Sequence, residues 1–312
     1  MNILFYVKTN QNLQNIKKLG GIEILNYNLY KFFKKKNLAV LTNKITNKIK
    51  DINWDSVISS NDATIFNYIK TKRKIIWLHN KLQVEKSIRK KQFFSLIKQK
   101  LEAVFVSKYL NLNTSNIYNF KKRIVIPNFL PDEFKKSKFK KNQLSRKKKF
   151  IWSVKRSKGL DEVVNIWINE IYPYYDAELH IFGINDNKYK SYKNKNIFYH
   201  GNVSRKTLIS NYKDSMGMIC LGYDETFCLN AIEAMSTGLP IITLGKTALR
   251  EIVINNYNGF KINSLNKLNS IVNKILSLKK NERNKLIMNC IDYSKKYDFE
   301  IIKKKWIFFL DK

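Results

Sequence analysis

The chain has 312 residues, 44% of them apolar and 13% aromatic, enough for two modest cores and too apolar for a disordered polymer. It carries 59 Lys and Arg against 24 Asp and Glu, a net charge of +35, which points to anionic partners. No apolar run approaches the ~20 residues of a membrane-spanning helix, and the odd set Cys220, Cys228 and Cys290, with no Cys-x-x-Cys and no Cys/His cluster, argues against a disulfide framework or a zinc site.

The first half alternates short apolar runs with helical patterns. Ile3–Val7, Leu38–Leu41, Val57–Ser59, Ile75–Leu78, Val104–Val106 and Ile124–Ile126 read as strands. Gly21–Lys36, Asp62–Lys70, Val84–Leu101 and Lys108–Phe120 read as the helices between them. Such alternation predicts an α/β, mostly parallel, doubly wound sheet. The opening run Asn2–Val7 meets Lys8 directly and has no basic leader or small-residue cleavage site, so a first strand is expected there rather than a signal peptide. In the stretch 84–101, Val84, Ile88, Phe93, Phe94, Ile97 and Leu101 make one apolar face, while Lys86, Arg89, Lys90, Lys91, Lys98 and Lys100 crowd the rest. Such a helix either lies on an anionic bilayer, at ~1 kcal/mol per basic residue near the surface, or packs its apolar face on a core.

Pro127 closes the last strand of this half. Residues 131–148 are polar and strongly basic and read as an interdomain linker. This sets an N-terminal domain over 1–130, a second domain over 149–292 and a terminal helical stretch over 293–312. After the linker the strands are Phe150–Val154, Glu178–Phe182, Ile197–Tyr199, Met218–Leu221 and Ile241–Thr243. The helices are Leu160–Ile171, Ser204–Lys213, Phe227–Thr237 and Leu265–Leu278, so a second α/β domain is expected. Charge is uneven between the halves. Residues 1–150 carry 34 Lys/Arg against 8 Asp/Glu, net +26, whereas 151–312 carry 25 against 16, net +9. Genome bias alone would load both halves alike, so the first half is expected to face a membrane surface, an anionic glycan or a nucleic acid.

The most informative stretch is Gly222-Tyr-Asp-Glu225-Thr-Phe-Cys-Leu-Asn-Ala-Ile-Glu233-Ala-Met-Ser-Thr-Gly238-Leu-Pro240. It reads as a loop, a helix and the start of a buried strand. Phe227, Ala231, Ala234 and Met235 supply an apolar stripe at helical spacing, and Gly238 with Pro240 is a helix stop. At ~1.5 Å per residue, Glu225 and Glu233 are expected roughly 12 Å apart along the axis, about the span from sugar to ribose in a nucleotide-sugar. The N–H groups of Thr226, Phe227 and Cys228, at the expected first turn, are expected to face whatever sits at the helix mouth.

This stretch resembles the Glu-x7-Glu motif of the retaining glycosyltransferases of family 4, which have the GT-B fold: two Rossmann-like, doubly wound domains facing across a cleft. The resemblance covers most of the chain, and several roles follow from it. Glu225, with the N–H groups of Thr226, Phe227 and Cys228, holds the donor sugar, and Glu233 accepts from the ribose hydroxyls. Gly20-Gly21 looks like the loop under the donor diphosphate, where two glycines allow close backbone approach. His79, at a strand end, sits near the transferred sugar, whereas His180 and His200 are structural. The segment Ser153-Val154-Lys155-Arg156-Ser157-Lys158-Gly159 resembles the family's diphosphate-binding Arg…Lys-Gly text. Val154 stands where the family arginine is usual, so Arg156 takes over that role from a shortened loop, beside Lys158. His200-Gly201-Asn202-Val203-Ser204 looks like the loop that holds the nucleotide base, through backbone groups at Val203. Ile124-Val-Ile-Pro127-Asn128 is similar to the family's Ile-Pro-Asn-Gly, with Phe129 in place of the glycine, and reads as structural. In the GT-B fold the terminal segment 293–312 crosses back to the first domain.

The implied function is metal-independent hexosyl transfer from a nucleoside-diphosphate sugar to a glycan or lipid-linked acceptor, with no cofactor beyond the donor substrate. Lipopolysaccharide-type surface-glycan assembly fits, with the enzyme cytoplasmic and peripheral on the inner membrane face. Arg89, Lys90, Lys91, Phe93 and Lys98 form the expected membrane or acceptor face. Nucleic acid is not an expected partner, because no nucleic-acid-binding motif organises the basic charge. Three other readings remain: a basic nucleic-acid-binding protein, a GT-B-like sugar-nucleotide epimerase or hydrolase, and a catalytically dead membrane-docking subunit, which the intact Glu pair argues against.

Overall fold

Two six-stranded parallel sheets carry the fold of this computed structural model, which describes residues 1–15, 19–35, 37–135 and 146–311. The first sheet holds β1 (Asn2–Val7), β2 (Leu38–Thr42), β3 (Trp54–Ser60), β4 (Thr71–Leu78), β5 (Glu102–Phe105) and β6 (Lys122–Val125), in the order β2-β1-β3-β4-β5-β6. The second holds β7 (Lys149–Trp152), β8 (Glu178–Phe182), β9 (Ile197–Gly201), β10 (Gly217–Ile219), β11 (Ile241–Thr243) and β12 (Gly259–Lys261), in the order β12-β11-β10-β7-β8-β9. The central strands are buried on both faces, as parallel sheets require: Ile3, Leu4 and Phe5 of β1 and Phe150, Ile151 and Trp152 of β7 are fully covered. β12 is too short and too polar to stand out in the sequence.

The chain divides into two compact units, residues 1–129 with 300–312, and residues 130–299. The terminal stretch therefore parts at 299/300 rather than at 293. A helix over Lys280–Ser294 belongs to the second unit, and one over Phe299–Leu310 is counted almost wholly with the first. There Trp306 packs edge-on to Trp77 of β4 at 4.8 Å. Arg73 pairs with Glu102 at 2.8 Å and donates to the carbonyls of Phe309 and Leu310 at 3.0 and 2.8 Å, so one guanidinium ties the helix end to the sheet.

The expected linker over 131–148 needs correction at both ends. Residues 136–145 lie outside the described residues. Before them Phe134 is buried in the second unit, and after them Arg146 is 6% exposed and donates to the carbonyls of Tyr212, Ser215 and Thr237 at 3.0, 2.7 and 2.8 Å. A cation with three carbonyl partners is affordable in a core where a free one is not. Burial still lowers its pKa to about 10. Arg146→Met keeps the volume but orphans three carbonyls, so it should cost the second unit about 3 kcal/mol or more. Denaturant melts read this directly, and an unchanged midpoint would show the arginine to be dispensable.

The helix expected over 84–101 is broken in two, Val84–Arg89 and Phe93–Lys98, with Lys91 in the left-handed region at φ +55°. Buried Ser87, Ser95 and Leu96 face inward, while Val84 and Ile88 stay exposed, so the apolar residues do not share one buried face. The helix expected over 62–70 shrinks to the single tight turn Thr64–Asn67, and that over 108–120 to Lys108–Leu112 and a turn at Asn116–Tyr118.

Candidate functional site

In the second sheet the chain leaves β7 toward β8 and β9 on one side, then returns at β10 to build the other. This is the dinucleotide-binding strand order, and loops following neighbours that diverge in this way leave a crevice at the carboxyl ends of the strands. The loop after β7 (153–159) and the loop after β10 (220–228) meet at that point. Cross-ties hold them. Asn230 donates to the carbonyl of Ser153, Thr247 to that of Gly222 at 2.6 Å, and the Ala248 N–H to that of Glu225 at 3.1 Å. Gly159 opens the helix Leu160–Ile166 at φ +103°, where a Cβ would come within 2.6 Å of Leu221 and 2.9 Å of Tyr223. Only glycine lets the two loops pack so closely.

The helix of the Glu-x7-Glu stretch spans Leu229–Ser236, eight residues. It ends as expected, with Gly238 at φ +80° and the N–H groups of Gly238 and Leu239 bonded to the carbonyls of Met235 and Ala234. It begins two residues later than expected, which corrects the axial picture. Glu225, Thr226 and Phe227 belong to the loop, and the spacing of the two carboxylates is set by loop geometry rather than helical rise. Phe227 is buried against Tyr297 at 5.6 Å, a core contact. Cys228 is the last loop residue, at φ +65°.

The two carboxylates have different surroundings. Glu225 is 15% exposed with Lys158 Nζ at 3.8 Å. Burial raises its pKa, and the charges of Lys158 and then Lys155 pull it back. Glu233 is 7% exposed, and no described residue hydrogen-bonds its carboxylate. Burial raises it to about 7, with Arg205 pulling down and Glu133 pushing up. A carboxylate with little exposure and no protein donor is open to a ligand's hydroxyls. Beneath it Tyr212 shares a hydrogen bond with Ser153 at 2.7 Å.

The cations are distributed differently from expectation. Arg156 is bonded to Asp161 at 2.9 Å and to Asp186 at 2.5 Å, on the surface, rather than standing beside Lys158. Lys155, which the sequence reading passed over, is the second cation felt by Glu225. Arg205 was also missed, although it follows the helix-capping Ser204 directly. Val203 lies half-exposed in that same loop, ahead of Ser204, whose hydroxyl caps Arg205–Asp214 through the Thr207 N–H at 3.1 Å. His180 and His200 hydrogen-bond each other at 2.8 Å on β8 and β9.

The first unit has its own switch point, between β1 and β3. A cavity of 330 Å³ lies there, lined by Val7, Lys8, Ser60, Asp62, Lys90 and Gln92 among others. Asp62 is buried, accepts from Thr64 N and Oγ1 at 2.9 and 2.7 Å, and faces Lys8 at 3.1 Å. It stands directly after a strand end, the one sequence signal that could have marked it. Gly20 caps and Gly21 opens the helix Gly21–Phe33, and neither has a positive φ. A Cβ on Gly20 would come within 2.7 Å of the Glu23 carboxylate and 3.9 Å of Gln11 Nε2. His79 is buried against Trp77 at 4.5 Å, and its backbone N–H donates to Asn61 Oδ1 at 2.8 Å. Burial drops its pKa to about 3, so the ring is neutral near pH 7.

Arg89, Lys90, Lys91 and Lys98 are all exposed. Phe93 is half-buried, 6.4 Å from Tyr118, and Phe94 is the exposed ring, at 70%, with Lys98 5.5 Å over its face. The outward aromatic is therefore Phe94, not Phe93.

With this geometry in place, comparison with known proteins decides the family. The family model described as glycosyl transferases group 1 matches residues 134–297, more than half of the chain. The chain belongs to the glycosyl transferases group 1 family. Among curated proteins, none matches it by sequence. Solved structures do. HepE from Anabaena is 13% identical with a TM-score of 0.75, all of each chain being covered. Sucrose-phosphate synthase from Thermosynechococcus elongatus is 13% identical at 0.70, covering 98% of this chain and 97% of that one. WaaG, a glycosyltransferase involved in lipopolysaccharide biosynthesis, is 12% identical at 0.68, covering 97% and 98%. Likeness at this identity speaks for the fold, which is GT-B. In this group 1 glycosyltransferase, Lys158, Glu225 and Glu233 all fall within the family match, while the first unit, Asp62 and His79 included, lies outside it.

Proposed function

We propose that this group 1 glycosyltransferase is a family-4-type retaining hexosyltransferase, moving a sugar from a nucleoside-diphosphate donor to a hydroxyl of a glycan or lipid-linked acceptor without a metal. The observation that carries the reading is the pair of carboxylates at one switch point: Glu225 beside Lys158, and Glu233 buried without a hydrogen-bond donor. Glu233 accepts from the ribose hydroxyls, and Glu225 holds the hydroxyls of the sugar. Lys158 and Lys155 stabilise the diphosphate as it leaves, the electrostatic task that a metal performs elsewhere. His79 is an uncharged hydrogen-bonding group at the carboxyl end of β4 in the first unit. The acceptor hydroxyl attacks on the face from which the diphosphate departs, and a phosphate oxygen takes its proton. HepE was solved with UDP and glucose, which supports a nucleotide-sugar donor. The role of WaaG in lipopolysaccharide biosynthesis supports a surface-glycan acceptor.

Incubation with uridine, guanosine and adenosine diphosphate sugars should give transfer to a glycan acceptor that survives chelator. Sugar-nucleotide epimerisation or hydrolysis without transfer overturns the reading. Loss in chelator that magnesium or manganese restores overturns its metal-free part.

The reading includes docking on anionic membrane through the first unit. Among the described residues no helix is long and apolar enough to cross a membrane. Exposed Val84, Ile88 and Phe94 stand among Lys86, Arg89, Lys90, Lys91 and Lys98, a composition suited to an anionic interface. Binding to anionic vesicles should fall steeply as salt rises, because the Debye length is only ~8 Å at physiological ionic strength. Lys90, Lys91 and Lys98 changed together to Glu should abolish it, and Phe94→Ser should weaken it with little effect on stability. Phe93→Ser should instead destabilise the unit. Equal binding to neutral and anionic vesicles sinks the proposal.

A further inference from the structure

The donor loop contains a group of side chains that sugar transfer does not use. Cys220, directly after β10, and Cys228, at the end of the loop, are both free of disulfides, and their sulfurs lie 3.5 Å apart. Their two Sγ atoms and a carboxylate oxygen of Glu225 lie within 4.8 Å of one another, the two cysteines buried and Glu225 mostly so. The geometry points to a binding site for a soft divalent cation of the zinc class, held by Cys220, Cys228 and Glu225, which shuts the donor site by occupying Glu225.

Three features support it. Tetrahedral zinc holds sulfur at about 2.3 Å and carboxylate oxygen at about 2.0 Å, which sets two sulfurs roughly 3.8 Å apart and a sulfur and an oxygen roughly 3.5 Å apart. The sulfurs already meet that spacing, and only the Glu225 side chain has to swing in. Charge also balances. Two thiolates and a carboxylate around a dication leave one net negative charge, and Lys158 stands 3.8 Å from Glu225 with Lys155 also felt there. Two thiol protons are released to solvent on binding. Finally, Cys228 holds a φ of +65°, where glycine is the unstrained choice. The backbone is held in an unfavourable conformation at the residue that completes the pair.

The ion site stands on this geometry alone, whereas its competition with the donor rests on the role given to Glu225 above. The test uses the reduced, metal-stripped full chain titrated with Cd2+, followed by thiolate-to-cadmium charge-transfer absorption. The expected result is saturation at one equivalent, reversal by chelator, and loss of the band in Cys220→Ala and in Cys228→Gly. The glycine variant removes the ligand while suiting the backbone, so it separates ligand loss from misfolding. Cys290→Ala should leave the band unchanged. Donor nucleotide-sugar at saturation should raise the cadmium midpoint at least tenfold. No band, or one that survives in both Cys220→Ala and Cys228→Gly, overturns the site. An unmoved midpoint overturns the competition. Wild-type transfer by Glu225→Gln would defeat the donor reading while leaving the cadmium band of the unmodified chain standing, so the two failures are told apart.

Discussion

Glu225→Gln is expected to lower the turnover of sugar transfer by about 10²–10³-fold while moving the donor KM by no more than about threefold. Positive charge develops on the sugar as the bond to the diphosphate breaks. A carboxylate at that point interacts more strongly with the transition state than with the ground state, which is what raises kcat. The environment of Glu225 fits the task. It is mostly buried, so its charge is poorly screened, and the charges of Lys158 and Lys155 oppose the burial that raises its pKa. Glutamine preserves the shape and much of the hydrogen bonding to hydroxyls but removes the charge. Folding should change little: Lys158 loses a partner at 3.8 Å, at a cost of about 1 kcal/mol. Single-turnover kinetics with a thermal melt on the same sample measures both quantities. Wild-type kcat in the variant removes Glu225 from the reaction. A rise in KM alone would demote it to ground-state binding.

Glu233→Gln should act in the opposite sense on stability and on binding. Burial raises this carboxyl in the folded chain from 4.5 to about 7. Between those values the folded state holds a proton that the unfolded chain gives up. The associated stability is full below about pH 4.5 and is lost as pH rises through 7, by up to about 3 kcal/mol. An amide never ionises, so the empty variant should melt higher than wild type at pH 8, and the two should converge toward pH 4.5. Nucleotide binding should suffer. The ionised carboxylate is the better acceptor for two ribose hydroxyls, and its loss should weaken the nucleoside diphosphate by about 1.5–3 kcal/mol, roughly 10- to 100-fold. Affinity in the wild type should rise with pH through 7 and be flat in the variant. Stability bought by relieving a strained functional group at the expense of binding is a common exchange. Calorimetric titration at pH 6 and 8, with melts at the same pH, decides it. Unchanged affinity in the variant would take Glu233 out of the ribose site.

Much of the architecture was legible because parallel strands are short, apolar on both faces and separated by helices. Ile3–Val7, Ile75–Leu78, Glu178–Phe182 and Ile241–Thr243 lie at or within one residue of observed strands or inside them. The stop at Gly238 was legible too, because a left-handed residue after a helix is a local demand that one residue type meets. The Glu-x7-Glu text and the loops after β7 and β10 could be marked as the place to look, since a doubly wound sheet gathers ligands at its carboxyl edge.

What local pattern could not carry was decided by partners distant in sequence. Phe93 and Phe94 are equivalent in the sequence, and the half-buried ring is the one that packs near Tyr118. Arg146 reads as one more cation in a basic run until three carbonyls from residues 212, 215 and 237 enclose it. Arg156 and Lys158 are two residues apart, yet Asp161 and Asp186 draw the first to the surface while Glu225 faces the second. The periodicity of 84–101 gave way at Lys91, where packing of Ser95 and Leu96 outweighs the continuity of one helix. Cys220 and Cys228, eight residues apart, have no spacing that announces a pair, and the fold of the loop alone brings their sulfurs to 3.5 Å. Sequence determined which segments are strands and which loops follow them, because those depend on each residue's own preferences and near neighbours. Tertiary structure decided which charges, rings and thiols face one another, because that depends on long-range packing whose energy no local window contains.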